Sequence, residues 1–288
     1  MHREFNHREF VPQEREINMD LVVISHYAAN GLSNLQQLLA QVIFSNPGCK
    51  IQLCIVINCD GSSNDQNNYK NSTKTKIDEM VLKLIEGNEM DVPENLPEIH
   101  WHVRENIGMN IGAWDYGWRA HPNFEGYLFL QDEVNIVAEN WCLAFKYLAS
   151  KIAEKSKYFL IGETWNYHWE KSWAELRNSQ ENSLIVVDDV IVERVDYFLS
   201  CFKNWELMGL DHGGHLRSLI WYTNSATLNA IDGFPAGENY NACIAAEIAV
   251  SLKVRALSGF TMQLDERPFR YIWHPEWRRD GVSKIYKC

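Results

Sequence analysis

Residues 21–60 read LVVISHYAANGLSNLQQLLAQVIFSNPGCKIQLCIVINCD, and this stretch decides the architecture. It opens with a β-branched apolar run and continues through Leu32, Leu35, Leu38, Leu39 and Val42 at helical spacing. It closes on a second apolar run that ends in a polar turn. The periodicity changes from strand to helix and back to strand.

Working outward, the alternation continues. Residues 73–87 have helical spacing, 98–106 (EIHWHVREN) a strand pattern, 110–121 (NIGAWDYGWRAH) a helical one, and 126–133 (GYLFLQDE) another strand pattern. Repeated strand-helix units predict an α/β fold with a mixed, mainly parallel sheet flanked by helices on both faces. Ligands of such sheets bind beyond the carboxyl ends of the strands. That rule aligns SHYAAN, NCDGSSND, RENIGMN and QDE along one edge. The second half is less regular: helices over 138–156, 194–207 and 239–257, a strand over 158–164, and an apolar run SLIVVDDVIV. Gly209, Gly213 and Gly214 with His212 and His215 predict a mobile loop. Residues 1–19, with HREF twice, read as an N-terminal arm. No Pro-rich or Ser-rich linker divides 20–288, which reads as one domain with a nucleotide-binding half (20–135) and an acceptor-binding half (136–288).

A chain of 288 residues with 46% hydrophobic content can bury a substantial core. Its formal charge of −11, without clustered Lys and Arg, argues against nucleic acid as a partner. Anionic small molecules fit if a metal supplies the positive charge. The seven cysteines form no CxxC pair and read as reduced and structural. No stretch approaches the ~20 apolar residues that span a bilayer, and the N-terminus is too charged for a signal peptide, so a soluble, cytoplasmic chain is expected.

Two strand ends carry the candidate chemistry. In INCDGSSND the Asp60 carboxylate can accept hydrogen bonds from a ribose or base, although composition alone equally describes a polar turn. In GYLFLQDEV an apolar run stops at Gln131, Asp132 and Glu133. With VVISHYAANGLSNLQQLL and RENIGMNIGAWDYGW between and before them, these segments occur in the order found in family 2 glycosyltransferases of the GT-A fold, which the sequence resembles over residues 21–133 and more weakly to His274. The resemblance implies a sugar transfer from a nucleotide-diphosphate donor, a UDP-sugar foremost, to a hydroxyl of a glycan or other acceptor, with inversion and with Mn²⁺ or Mg²⁺ as cofactor. It assigns Tyr27 and Asp60 to the nucleoside, with Cys59 where the family usually carries a first acid. Asn106, Gly108 and Asn110 fall near ribose and phosphates. Gln131 stands in place of the first acid of the family's DxD cluster, leaving Asp132 and Glu133 as contacts to the metal-bound diphosphate, joined by His274 as a further metal ligand.

The same resemblance puts Glu247 at the position of the catalytic base, after a turn at Asp232, Gly233 and Phe234, with Glu238 as its rival. By itself Glu247 reads as a surface charge on a helix whose Ile244, Ile248 and Leu252 face the core. Trp165, Trp169 and Trp173 recur at four-residue spacing and line one helix face, a stripe that fits core better than an acceptor subsite. Arg217, Arg278 and Arg279 are solvated charges or phosphate contacts. Two rival readings remain. A protein that binds a nucleotide sugar or glycan without turning it over accounts for Cys59 and Gln131; a nucleotidyltransferase lacks the glycine-rich basic loop its chemistry uses after the first strand.

Overall fold

A computed structural model describes residues 19–60, 63–87, 96–207 and 212–275, apart from the side chains of 63–67 and 84–87. Its first half is β1 (Met19–Tyr27), α1 (Ser33–Phe44), β2 (Lys50–Cys59), α2 (Ser63–Gly87), β3 (Ile99–Glu105), α3 (Met109–Ala120) and β4 (Gly126–Gln131). Then follow β5 (Asn135–Ile136), α4 (Trp141–Ala153), β6 (Phe159–Gly162), α5 (Trp173–Arg177), β7 (Leu184–Val187) and β8 (Val190–Glu193). The chain continues through α6 (Arg194–Asn204), β9 (Ile220–Asn224), α7 (Ser225–Ala230), α8 (Tyr240–Ala256), β10 (Phe260–Gln263) and β11 (Ile272–Trp273). Seven strands form one sheet in the order β10-β6-β9-β4-β1-β2-β3. All its pairings are parallel except those of β9, which runs against both β4 and β6. The expected class, a mixed and mainly parallel sheet flanked by helices, is the architecture observed.

The apolar run of β1 explains why the sheet is covered on both faces. Side chains on a strand alternate between faces, so only an unbroken apolar run can be buried on both. Val22 and Ile24 pack with Leu35, Leu38, Leu39 and Val42 of α1 and Phe145 of α4. Leu21 and Val23 pack on the other face with Trp114 and Trp118 of α3 and with Val250 and Val254 of α8. At Gly117 a Cβ would lie 2.5 Å from Val23 Cγ1, so the missing side chain lets α3 rest directly on β1. A third cluster joins α5, α6 and α8 through Trp173, Leu176, Phe198, Phe202, Ala245 and Ala249.

A carboxyl group lies inside this core. Asp20, fully buried at the start of β1, accepts from Lys146 Nζ at 3.1 Å and from the Tyr222 hydroxyl at 3.0 Å. Burial raises its carboxyl above the usual range despite Lys146. Lys146→Met strands that carboxylate and is expected to cost about 3 kcal/mol at pH 7, read from urea midpoints. The cost shrinks as pH falls, because the orphaned carboxyl takes up a proton.

Two expectations change. The Trp stripe is not on one helix: Trp169 ends a 3₁₀ turn, Trp173 opens α5, and a bridge to Leu216 holds Trp165 extended. Trp169 and Trp173 are nonetheless core residues, as their spacing implied. The glycine loop is not a loose surface segment where it is described. Gly213, Gly214 and His215 are buried, and a Cβ at Gly213 would lie 3.1–3.2 Å from Leu176, Trp173 and Trp169, so the glycines serve close packing. SLIVVDDVIV is a hairpin of β7 and β8, turning at Asp188 and Asp189, both at positive φ. The HREF arm, Gly209, Arg278 and Arg279 lie outside the described residues. Among the described residues no helix is long and apolar enough to cross a membrane.

Candidate functional site

The chain steps outward from β1 to β2 to β3 and then returns to the other side of β1 as β4, so the strand order reverses between β1 and β4. In open α/β sheets a crevice forms beyond the carboxyl ends at that point. There the ladder runs one residue past β4: Asp132 N–H donates to Ser25 O at 3.1 Å, and Ser25 Oγ donates to Leu130 O at 3.3 Å. This register brings His26 to Asp132. Their Nδ1 and Oδ2 atoms are 2.5 Å apart, with both residues buried. The other ring nitrogen of His26 is 3.3 Å from the Tyr69 hydroxyl, which donates to Ala28 O at 3.0 Å. The imidazole is held from both sides, and it holds Asp132 in turn.

Gln131 and Glu133 reach instead toward His274. Glu133 Oε1 is 3.1 Å from His274 Nε2, and Gln131 Oε1 is 3.4 Å from the same nitrogen. His274 is delivered by β11, which pairs antiparallel with β5 immediately beyond the QDE turn. Across from these, Gln131 Nε2 donates to Ser218 O at 2.8 Å, and Asn110 Nδ2 donates to the same carbonyl at 2.7 Å. The β2 end joins the rim through the Tyr27 hydroxyl, which donates to Asp60; that bond raises the phenol's pKa. Asn106 N–H donates to Cys59 O at 3.2 Å, tying the ends of β2 and β3 together.

Glu247 sits in the middle of α8 with its side chain 17% exposed. His215 Nε2 is 3.2 Å from Glu247 Oε1, and Ser218 Oγ donates to Oε2 at 2.8 Å. His215 Nδ1 donates to Gly213 O at 2.7 Å, which leaves Nε2 beside the carboxylate, where only the cationic ring can donate. Burial alone would raise the Glu247 carboxyl, but His215, Ser218 and the nearby Arg217 outweigh it and hold the pKa below the ordinary range. A cavity of about 210 Å³ opens here, lined by Asn110, Asn166, His215, Arg217, Ser218 and Glu247 among others. Glu238 is exposed in the loop before α8, whose N-cap is the following residue, Asn239; it does not line this cavity.

One corner of the rim carries donors for a divalent cation. A carboxylate oxygen, an imidazole nitrogen and an amide oxygen meet at Glu133, His274 and Gln131, a combination that suits a hard divalent ion. Asp132 does not complete that set, because its carboxylate is turned to His26. Glu163 supports the same corner from below: buried at the end of β6, it accepts from Ile272 N–H at 3.2 Å, and the N–H groups of Phe269, Arg270 and Tyr271 also point to it.

The sequence-predicted residues therefore meet in two linked groups, Tyr27 with Asp60 at the β1/β2 ends, and Asn110, Gln131, Glu133, Glu247 and His274 around Ser218. His26, His215 and Ser218 are the residues that pattern reading passed over. A polar His closing the apolar LVVIS run was the available signal for the first, and HLRS just before the apolar β9 for the others.

No family model matches the sequence, and no curated protein sequence matches it. Similar solved structures include a mannosyltransferase, PcManGT from Pyrobaculum calidifontis in complex with GDP-Man and Mn²⁺, at 11% identity and a TM-score of 0.49 over 93% of this chain and 62% of that one. The bifunctional glycosyltransferase WbbM is similar at 10% identity and a TM-score of 0.44 over 85% of this chain. Residues 1–349 of S. aureus TarS are similar at 13% identity and a TM-score of 0.42 over 93%. The chain spans 39% of the WbbM chain and 64% of the TarS one.

Proposed function

We propose that this chain is a GT-A-type glycosyltransferase moving a sugar, with inversion, from a nucleotide-diphosphate donor to a hydroxyl acceptor. The observation that carries the reading is the rim itself: four strand-end segments far apart in sequence converge where the strand order reverses, beside a cavity lined, among the described residues, by one carboxylate, Glu247. Asp60 and Tyr27 hold the nucleoside, and Asn106 and Asn110 face ribose and phosphates. Glu133 and His274, with Gln131, are the residues that hold a Mn²⁺ or Mg²⁺ ion. When bound, the ion supplies positive charge that offsets the diphosphate as it leaves. Asp132, fixed by His26, orients this turn.

Glu247 takes the acceptor's hydroxyl proton as the oxygen bonds to the anomeric carbon, and the bond from that carbon to the diphosphate breaks with its electron pair on the leaving oxygen. Ser218 and His215 aim the carboxylate. The second reading, binding without turnover, is favoured by the low basicity of Glu247 and by Asp132 being committed to His26.

Thermal shifts with UDP- and GDP-sugars, with Mn²⁺, Mg²⁺ or chelator, test the proposal. At a hundredfold excess over Kd a true donor adds about 2.7 kcal/mol, a rise of several degrees. Release of the nucleotide diphosphate when an acceptor is added then supports transfer. Stabilisation with no release under any acceptor selects the binding reading, and indifference to every nucleotide sugar rejects both.

A further inference from the structure

A second cluster of chemistry-bearing side chains lies away from this rim, on the α3 side of the sheet edge. Cys54 of β2 pairs with His100 of β3, and Val56 with His102, so the two-residue repeat puts Gln52, Cys54, His100 and His102 on one face. Cys54 lies against the last turn of α3, since a Cβ on Gly117 would be 3.4 Å from its Sγ. That turn ends at His121, whose N–H caps the helix on the Gly117 and Trp118 carbonyls. His102 Nε2 and His121 Nε2 face each other at 2.8 Å, and one ligand atom from each of Cys54, His102 and His121 lies within 4.8 Å of the others. His100 lies against His121, the two rings tilted by 33° with centroids 4.3 Å apart, and anchors its own Nε2 3.1 Å from Gln52 Oε1.

We propose that Cys54, His102 and His121 bind one Zn²⁺ ion, with water in the fourth position, clipping the edge strand β3 and the end of α3 to β2. Zinc bonds of 2.0–2.1 Å to nitrogen and 2.3 Å to sulfur place tetrahedral ligand atoms about 3.3–3.6 Å apart, so side-chain shifts of under an ångström open the site. Two ring nitrogens facing each other can share only one proton, and a cation relieves that crowding by taking both lone pairs. Burial, then the neighbouring His121, Lys70 and His100, hold the His102 imidazole neutral down to about 4, and burial with His100 lowers His121, so both are ligands at neutral pH. The Cys54 thiol, pushed up to about 12 by burial, gives its proton to solvent as the sulfur–zinc bond forms. Half-buried His102 and His121 leave an entry path that the buried cysteine lacks.

Cobalt titration of the full chain tests the site without reference to sugar transfer. One Co²⁺ per chain should give a thiolate charge-transfer band and a tetrahedral visible spectrum, both displaced by one equivalent of Zn²⁺, which also raises the melting temperature. Cys54→Ser should abolish the band. His121→Asn should weaken binding at least as much as the roughly 10–100-fold lost when an outer-shell partner is removed. Cys49→Ser should leave the band intact, which separates this site from the thiols of Cys49 and Cys142 beside Asp20. Absence of a thiolate band in the folded wild type overturns the proposal, as does a band that needs Cys49 or forms with undiminished affinity in His121→Asn. Should Cys54→Ser fail to fold, undiminished metal affinity in His102→Gln and His121→Asn overturns it equally.

Discussion

Glu247→Gln should lower the transfer rate by about 10²–10⁴-fold and leave donor affinity nearly unchanged. The amide keeps the shape of the carboxylate and can still accept from Ser218 Oγ, which now does so at 2.8 Å, but it cannot take the acceptor's proton. Saturating-donor kinetics and calorimetric donor binding separate the two quantities, and wild-type turnover in the variant removes Glu247 from the mechanism. A base acts only when deprotonated, and this carboxyl is held below its usual range. The rate contributed by Glu247 should thus be flat through neutrality and fall only under acid conditions. Replacing His215 with Ala removes the largest lowering influence and should move that acid limb upward. Glu238→Gln, outside the cavity, should change the rate little.

Glu163 should make the fold less stable as pH rises toward 8, the reverse of ordinary carboxylate behaviour. Burial outweighs the backbone N–H groups that face it and pushes its carboxyl up to about 8. Between the ordinary value of 4.5 and about 8 the folded protein keeps a proton that the unfolded chain has released. Stability contributed by this group is complete below the lower value and lost as pH climbs through the upper one, at roughly 1.4 kcal/mol per pH unit. His102 and His121, with lowered values, tilt the curve the opposite way below pH 6.5, so the clean window lies above it. Urea midpoints at pH 6.5–8 should fall for the wild type and stay flatter for Glu163→Gln. Parallel curves would show that Glu163 is charged in the fold.

Most of the architecture was legible because strands and helices here have clean, different periods. LVVI and LCIVI are apolar at every position, as strands covered on both faces must be, while Leu35, Leu38, Leu39 and Val42 mark one helix face. The legibility failed where packing overrode local pattern. Trp165, Trp169 and Trp173 have helical spacing yet fall on three different pieces of backbone, because Trp169 and Trp173 fill the third cluster while Trp165 packs against the second, which needs ring area and not a continuous helix. Gly213 and Gly214 look like loop punctuation but are the small residues that let buried backbone pass against Trp169, Trp173 and Trp165.

By itself the sequence determined the order of elements and which polar tips end which strands, since both depend on periodicity within short windows. It also set the edge on which those tips gather, because parallel connections put every strand end on the same side. Only the tertiary structure decided the partner of each tip. His26 meets Asp132 across 106 positions of sequence, and Glu133 meets His274 through the pairing of β11 with β5. Such pairings depend on register between distant segments, where a shift of one residue turns a side chain to the opposite face, and no local pattern carries that information.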